Sequence, residues 1–213
     1  MPERNILHPE RLLQINSLRR AGQHLLVAWL AGCLTATGFD WEHANDVDNN
    51  LTPGHPDRKE WTAETALAEE AGRHRLITNY EDYSFRQRGD SPVYAGLQRT
   101  GIASRDILLV RDFPNLVATR TARLHAAERE GDPRKIPLFS LRHGRGLWIE
   151  HAQTALDPSE DGLLVVLYDR LISRSDQAVS YREKLAAELG LINSDAALDR
   201  VTNFGGGSSF DGR

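Results

Sequence analysis

Apolar positions come in short blocks of two textures. Leu12–Leu18 (LLQINSL) reads as a short strand, and Gly22–Leu34 (GQHLLVAWLAGCL) as a mostly buried helix. Phe39–Val47 holds a short extended piece. Asp46–Arg58 (DVDNNLTPGHPDR) is a polar loop, Trp61–Arg73 has helical composition, and Leu76–Asn79 is a second strand. Ile107–Val110 (ILLV) is a continuous apolar run, followed by a helix opening at Pro114. Leu141–Leu156 reads as a helix with Trp148 and Ile149 on its apolar side, and Leu163–Tyr168 (LLVVLY) as a strand. Tyr181–Leu189 is a helix stopped at Gly190, and the chain closes on a glycine-rich tail, FGGGSSFDGR.

Strands buried on both faces read as continuous apolar runs, and strands alternating with helices imply right-handed crossovers. The pattern predicts one three-layer α/β/α domain over residues 1–213, built on a central, mostly parallel sheet.

Composition narrows the function classes. A chain of 213 residues, 40% hydrophobic and 26% charged, is an ordinary globular composition with room for a core. A net charge of −4 disfavours a general binder of nucleic acid, whose backbone needs a positive field. Local clusters (Arg19 with Arg20, and Arg111 with Arg120 and Arg123) suit a small anion better. Cys33 is the sole cysteine, which excludes an intrachain disulfide and a thiolate metal cage, and the histidines show no metal-ligand spacing, so no metal is expected. No apolar run reaches the roughly 18–20 residues of a membrane span.

Leu12–Leu34 also admits an export reading: two arginines, an apolar stretch, then Leu-Ala-Gly-Cys ending at a lipid-attachment cysteine. Glu3, Pro9 and Glu10 ahead of the arginines, and an apolar stretch limited to Leu25–Leu34, argue against it. The expected compartment is the cytoplasm.

In a parallel α/β fold ligands gather at the carboxyl ends of strands. Ser17–His24 (SLRRAGQH) lies at one such end, with a glycine for a tight turn, a helix start offering free N–H groups, and Arg20, whose planar fork matches phosphate or sulfate oxygens. Leu108–Arg120 (LLVRDFPNLVATR) places Arg111 after an apolar strand and Thr119 on the next helix, where a charge and a hydroxyl can serve one phosphate. GxxxxGK[ST] is absent, which disfavours ordinary ATP or GTP hydrolysis.

Taken in order, these segments resemble the sulfotransferases that use 3′-phosphoadenosine 5′-phosphosulfate (PAPS), whose fold is related to that of the P-loop nucleotide triphosphatases. Arg20-Ala21-Gly22-Gln23-His24, preceded by Arg19, is similar to the family's phosphosulfate loop. Arg111 and Thr119 match its 3′-phosphate segment, with threonine in place of serine. Tyr168-Asp169-Arg170-Leu171 loosely matches a later strand end, with the helix YREKLAAELGL after it. Gly205, Gly206, Gly207, Ser208 and Ser209 stand where many members close the 3′-phosphate site. The resemblance runs from residue 12 to 213 and departs in three places. Arginine replaces the usual loop lysine, Gln23 and His24 replace its hydroxyl residues, and a lysine often found on the second strand has no counterpart in LITNYEDYSF.

The resemblance implies a fold of that family and transfer of a sulfuryl group from PAPS, as co-substrate, to the hydroxyl of an alcohol, a sugar or a small metabolite. Such a reaction is served mainly by positioning and charge stabilisation. Arg20 and the loop N–H groups are suited to the departing phosphate, with His24 beside them. Glu81, Glu42 and His43 are candidates for the base that takes the acceptor's proton. Tyr80, Tyr83 and Tyr168 are candidates for contact with adenine. The acceptor loops are expected at Asp46–Arg58 and Tyr83–Arg99. Two alternatives stay open: a P-loop-related nucleotide kinase, and a non-catalytic nucleotide-binding domain.

Overall fold

A parallel five-stranded sheet forms the centre of the molecule, in the order β2-β3-β1-β4-β5. The structure, a computed structural model, describes residues 10–44, 73–90, 92–99, 101–130, 141–158 and 162–198. Its strands are β1 (Leu12–Ser17), β2 (Asp40–Ala44), β3 (His74–Glu81), β4 (Ser104–Val110) and β5 (Leu164–Leu167). The helices are α1 (Gln23–Thr37), α2 (Pro92–Arg99), α3 (Phe113–Glu130), α4 (Leu141–Leu156), α5 (Tyr168–Ile172) and α6 (Asp176–Glu188), with short 3₁₀ turns at Gln87–Asp90 and Asp195–Ala197. Helices lie on both sides of the sheet, so the expected three-layer α/β architecture holds.

The two faces differ in chemistry. Strand pairing puts Leu13, Ile15, Ile77, Ile107, Leu109, Leu164 and Val166 on one face. That face packs against Leu26, Trp29 and Leu30 of α1 and Leu185, Ala186 and Leu189 of α6, forming the main core. Burying each such side chain is worth about 1.5–3 kcal/mol. The opposite face carries Gln14, Asn16, Thr78, Tyr80 and Asp106 in register, and its apolar cluster is small: Leu12, Leu76 and Leu97. A hydrogen-bonded seam crosses it instead. Tyr80 Oη donates to Gln14 Oε1 (3.1 Å), Gln14 Nε2 to Asp106 Oδ1 (3.4 Å), and Arg88 Nη2 pairs with Asp106 Oδ2 (2.8 Å). Most buried polar groups are partnered in this way, although the Asn16 amide and the Thr78 hydroxyl on the same face are not.

The sheet order also locates a site. From β1 the chain travels along α1 past β3 to β2, and from β3 it crosses back over β1 to β4. The carboxyl end of β1 is therefore the topological switch point, the crevice in which such sheets bind ligands.

Several expected boundaries shift. The strand placed at Leu163–Tyr168 ends at Leu167, because Tyr168 opens α5. The helix placed at Tyr181–Leu189 begins at Asp176, where the Ser175 side chain accepts from the Ala178 N–H as an N-cap. Within Tyr83–Arg99, read as loop, lies α2. Leu141–Leu156 is helical over the whole expected span. Cys33 lies inside α1, and burial pushes its thiol up to about 11, which leaves it protonated and inert near neutrality. Among the described residues no helix is long and apolar enough to cross a membrane. The expected helix at Trp61–Arg73, apart from Arg73 itself, and the loop at Asp46–Arg58 lie outside the described residues.

Candidate functional site

The connection from β1 to α1 is built from left-handed residues. Arg20 has φ +73° and Gly22 φ +98°, and the Ala21 N–H donates to the Leu18 carbonyl (2.9 Å) to close the turn. Left-handed residues in so short a loop gather N–H groups on a concave side that suits anions. Gly22 caps α1 with no side-chain hydrogen bond, so the helix begins with its first N–H groups lacking intrahelical partners. Glycine is required here twice over. A Cβ would fall 2.0 Å from Cε2 of Tyr168, whose ring lies directly on the loop, and the positive φ is itself costly for other residues. Gln23 is turned inward: Ser17 Oγ donates to its Oε1 (2.6 Å), fastening the end of β1 to the start of α1. Its amide is thus spent on the loop's own structure.

Arg111 joins this loop from the end of β4. Its Nη1 donates to the Arg20 carbonyl (3.1 Å), and its guanidinium lies 4.6 Å from the Tyr168 ring centre. Its Nε is buried without a hydrogen-bond partner, a costly state for a guanidinium N–H. Trp148 Nε1 donates to the Arg111 carbonyl (2.7 Å), and the Asp112 side chain accepts the Asn115 N–H (2.9 Å) to start α3. Thr119 does not join Arg111. It is buried in α3, and its hydroxyl donates to the Asn115 carbonyl of the preceding turn (2.8 Å). The next residue reaches the loop instead: Arg120 Nε donates to the Arg19 carbonyl (2.8 Å).

Arg120 belongs to a cluster of four charges. Its Nη2 pairs with Asp82 Oδ1, and the same oxygen accepts the Arg19 N–H (3.0 Å). Arg19 Nε donates to Glu81 Oε2 (2.9 Å). Asp82 has φ +60°, and its N–H donates to the carbonyl of Ser17 (3.1 Å), so the residue after β3 is bonded directly to the end of β1. Burial lowers the Arg120 pKa, with Asp82 opposing that shift and keeping the guanidinium charged. The sequence pointed to Arg120 only as part of a basic cluster with Arg111 and Arg123, and it did not single out Asp82. Both are ordinary surface-type residues far apart in sequence, and only the strand pairing brings them together.

The base candidates separate. Glu81, level with Ser17, is at the carboxyl edge but ion-paired to Arg19. Glu42 is exposed and pairs with Leu76, which is level with Leu12, about 16 Å down the sheet from Ser17 at ~3.3 Å per residue. His43, one residue on, faces the other way and donates from Nε2 to Asn79 Oδ1 (2.8 Å). Burial lowers its pKa, and so does the charge of His24. His24, in the first turn of α1, is lowered by burial and then by Arg20. Both imidazoles are shifted toward the neutral form, and the lone pair of His43 is left on Nδ1.

Of the aromatic candidates, Tyr168 is on the loop, and burial raises its hydroxyl pKa. Tyr80 is committed to the polar seam and the Tyr94 ring, and the Tyr83 carbonyl is held by His151 Nε2 (2.8 Å). Gly205, Gly206, Gly207, Ser208 and Ser209 lie outside the described residues.

No protein-family model matches the chain, and no curated protein matches it. Among solved structures, the tunicamycin resistance protein of Deinococcus radiodurans is similar over 86% of this chain and 98% of its own, at 16% identity and a TM-score of 0.41. A likeness this remote assigns neither activity nor ligand to the chain.

Proposed function

We propose that this protein is a sulfotransferase, moving a sulfuryl group from PAPS to the hydroxyl of an alcohol, sugar or small metabolite. One observation carries the reading. The two segments that resemble the family's two phosphate-binding segments meet at the switch point, with Arg111 bonded to the Arg20 carbonyl and its buried Nε unpartnered.

In this reading Arg20 and the N–H groups opening α1 stabilise charge on the departing phosphate, and Arg111 binds the 3′-phosphate. The resemblance adds the glycine-rich segment from Gly205 to Ser209 to the donor set, whereas Thr119, buried with its hydroxyl on the Asn115 carbonyl, is left out of it. His43 takes the acceptor's proton on Nδ1, because Asn79 fixes its tautomer and its neutral form is favoured; Glu81, tied to Arg19, is the weaker choice. Glu42, exposed on the opposite face of β2 from His43, has no part.

The test pairs calorimetry with transfer. Adenosine 3′,5′-bisphosphate should bind well above AMP, and His43→Asn should keep that affinity while lowering turnover roughly 10²–10⁴-fold, the usual scale for loss of a general base. Equal affinity for AMP and the bisphosphate removes the 3′-phosphate site. Normal turnover in His43→Asn beside a dead Glu81→Gln returns the base to Glu81.

A further inference from the structure

An acidic side chain next to an anion site ordinarily weakens it. Asp82 is placed to do the reverse. Its Oδ1 accepts the Arg19 N–H at 3.0 Å and also pairs with Arg120, whose Nε holds the Arg19 carbonyl at 2.8 Å. Both peptide groups flanking Arg19 are therefore fixed by side chains from outside the loop. In a trans peptide the carbonyl and N–H point in opposite directions. Tying the Arg19 carbonyl to Arg120 turns the Arg20 N–H the other way, off the Arg120 side. Arg111 fixes the next peptide by holding the Arg20 carbonyl, while the Ala21 N–H of that peptide closes the turn on Leu18.

Asp82 is itself braced. It sits at φ +60°, a left-handed conformation that Asp tolerates better than most residues, and its N–H is bonded to the Ser17 carbonyl. The following carbonyl, of Tyr83, is held by the buried His151. The carboxylate is thus a fixed point, carried by β3 and α4, on which the backbone of the β1–α1 loop is hung.

We propose that Asp82 is a positioning residue that preforms the anion loop, so that removing its negative charge weakens anion binding. The inference takes its preferred probe from the donor reading. It concerns the loop itself, so inorganic sulfate is titrated alongside adenosine 3′,5′-bisphosphate.

Calorimetry on the full chain should show Asp82→Ala losing on the order of tenfold in affinity for either probe, the scale of one charge-assisted hydrogen bond. Asp82→Asn keeps an oxygen for the Arg19 N–H and gives up the pairing with Arg120, so its loss should be smaller. The loss in both variants should persist at roughly 0.5 M salt, where a through-space charge effect is screened and a misplaced backbone is not. Unchanged or tighter binding in Asp82→Ala overturns the proposal, as does a loss that vanishes with salt. Failure of both variants to fold overturns it too, making Asp82 a determinant of the fold instead. If the unsubstituted protein binds sulfate but no bisphosphate, the donor reading falls while the effect of Asp82 is still read on sulfate. If it binds neither, both fall.

Discussion

The two ends of the β1–α1 loop are held by unlike forces. At the Arg19 end the backbone is suspended from charges: Asp82 on its N–H, Arg120 on its carbonyl, Glu81 on its side chain. At the Gly22 end shape does the holding. The chain is shaped by a left-handed glycine and by the Tyr168 ring lying where a side chain would be. The charged end is adjustable by substitution, because each partner can be neutralised singly. The shaped end is indifferent to salt and intolerant of one methyl group. On the proposed donor reading such a loop gains from both, since the ring leaves no room for a side chain at Gly22 while the charges set the direction of the N–H groups.

The harshest way to break the comparison is Gly22→Ala. The new Cβ meets Tyr168 at 2.0 Å, and the ring cannot swing away without giving up its contact with Arg111. Backbone strain and overpacking together should cost roughly 2–4 kcal/mol of stability, and bisphosphate affinity should be lost. Urea denaturation and calorimetry check both parts. Adding Tyr168→Ala should recover part of the stability by clearing the clash, while the φ of +98° still burdens alanine. Full stability and affinity in Gly22→Ala alone would mean that the ring is not fixed against the loop.

Arg111 spans the two ends, bonded to the Arg20 carbonyl and stacked on Tyr168. Arg111→Ala should lose roughly 1.5–3 kcal/mol of bisphosphate affinity, the range for a charged hydrogen bond. Arg111→Lys sharpens the point. Lysine keeps the charge without the planar fork, so most of the loss should remain if geometry governs, and most should be restored if charge alone does. Titration of the three proteins with bisphosphate at two salt concentrations separates these outcomes.

How much of this was legible in the chain follows from where each element's reasons lie. Leu141–Leu156 was read with the right bounds, but its inner side was only half right: Trp148 packs inward while Ile149 is exposed, and Leu147 and His151 are the buried positions. β3 was read short, as Leu76–Asn79, because His74 and Arg75 before it and Tyr80 and Glu81 after it do not continue an apolar run. Tyr80 belongs to the strand because it faces the polar seam with Gln14 and Asp106, a pairing made only by the sheet register. The end of β5 was misread for a similar reason: the turn at Tyr168 is fixed by its approach to Gly22, far away in sequence. The α6 start at Ser175 carried a local signal that was passed over, since the apolar pattern begins only at Tyr181. In the site, Arg20, Gly22 and Arg111 were legible from strand ends and glycine. Thr119 was placed by spacing alone, and a helix turns successive residues in different directions, so its neighbour Arg120 is the one that meets the loop.

The smallest expected effect concerns pH, and it sets stability against binding. His24, His43 and His151 all have pKa values lowered, each chiefly by burial. Arg20 adds to the shift at His24 and His24 adds to it at His43, whereas the Tyr83 carbonyl, Glu150 and Asp82 oppose it at His151. A histidine with a depressed folded-state pKa binds fewer protons folded than unfolded in the window below 6.5, the ordinary value. Their contribution to stability is therefore complete above that value and is lost as pH falls beneath it, by at most about 1.4 kcal/mol per proton per pH unit. Urea midpoints should drop between about pH 7.5 and about pH 5.5, and His151→Gln should flatten part of that slope. Bisphosphate affinity should not fall with it. Protonating His24 adds positive charge beside Arg20, at the shaped end's helix start, so affinity should hold or rise over the same range, and His24→Gln should remove any rise. A urea midpoint independent of pH across that window would show that these imidazoles are not held neutral by the fold. A parallel fall of stability and affinity would show that the loop's geometry fails together with the histidines, and that the two ends of the loop are less separable than their contacts indicate.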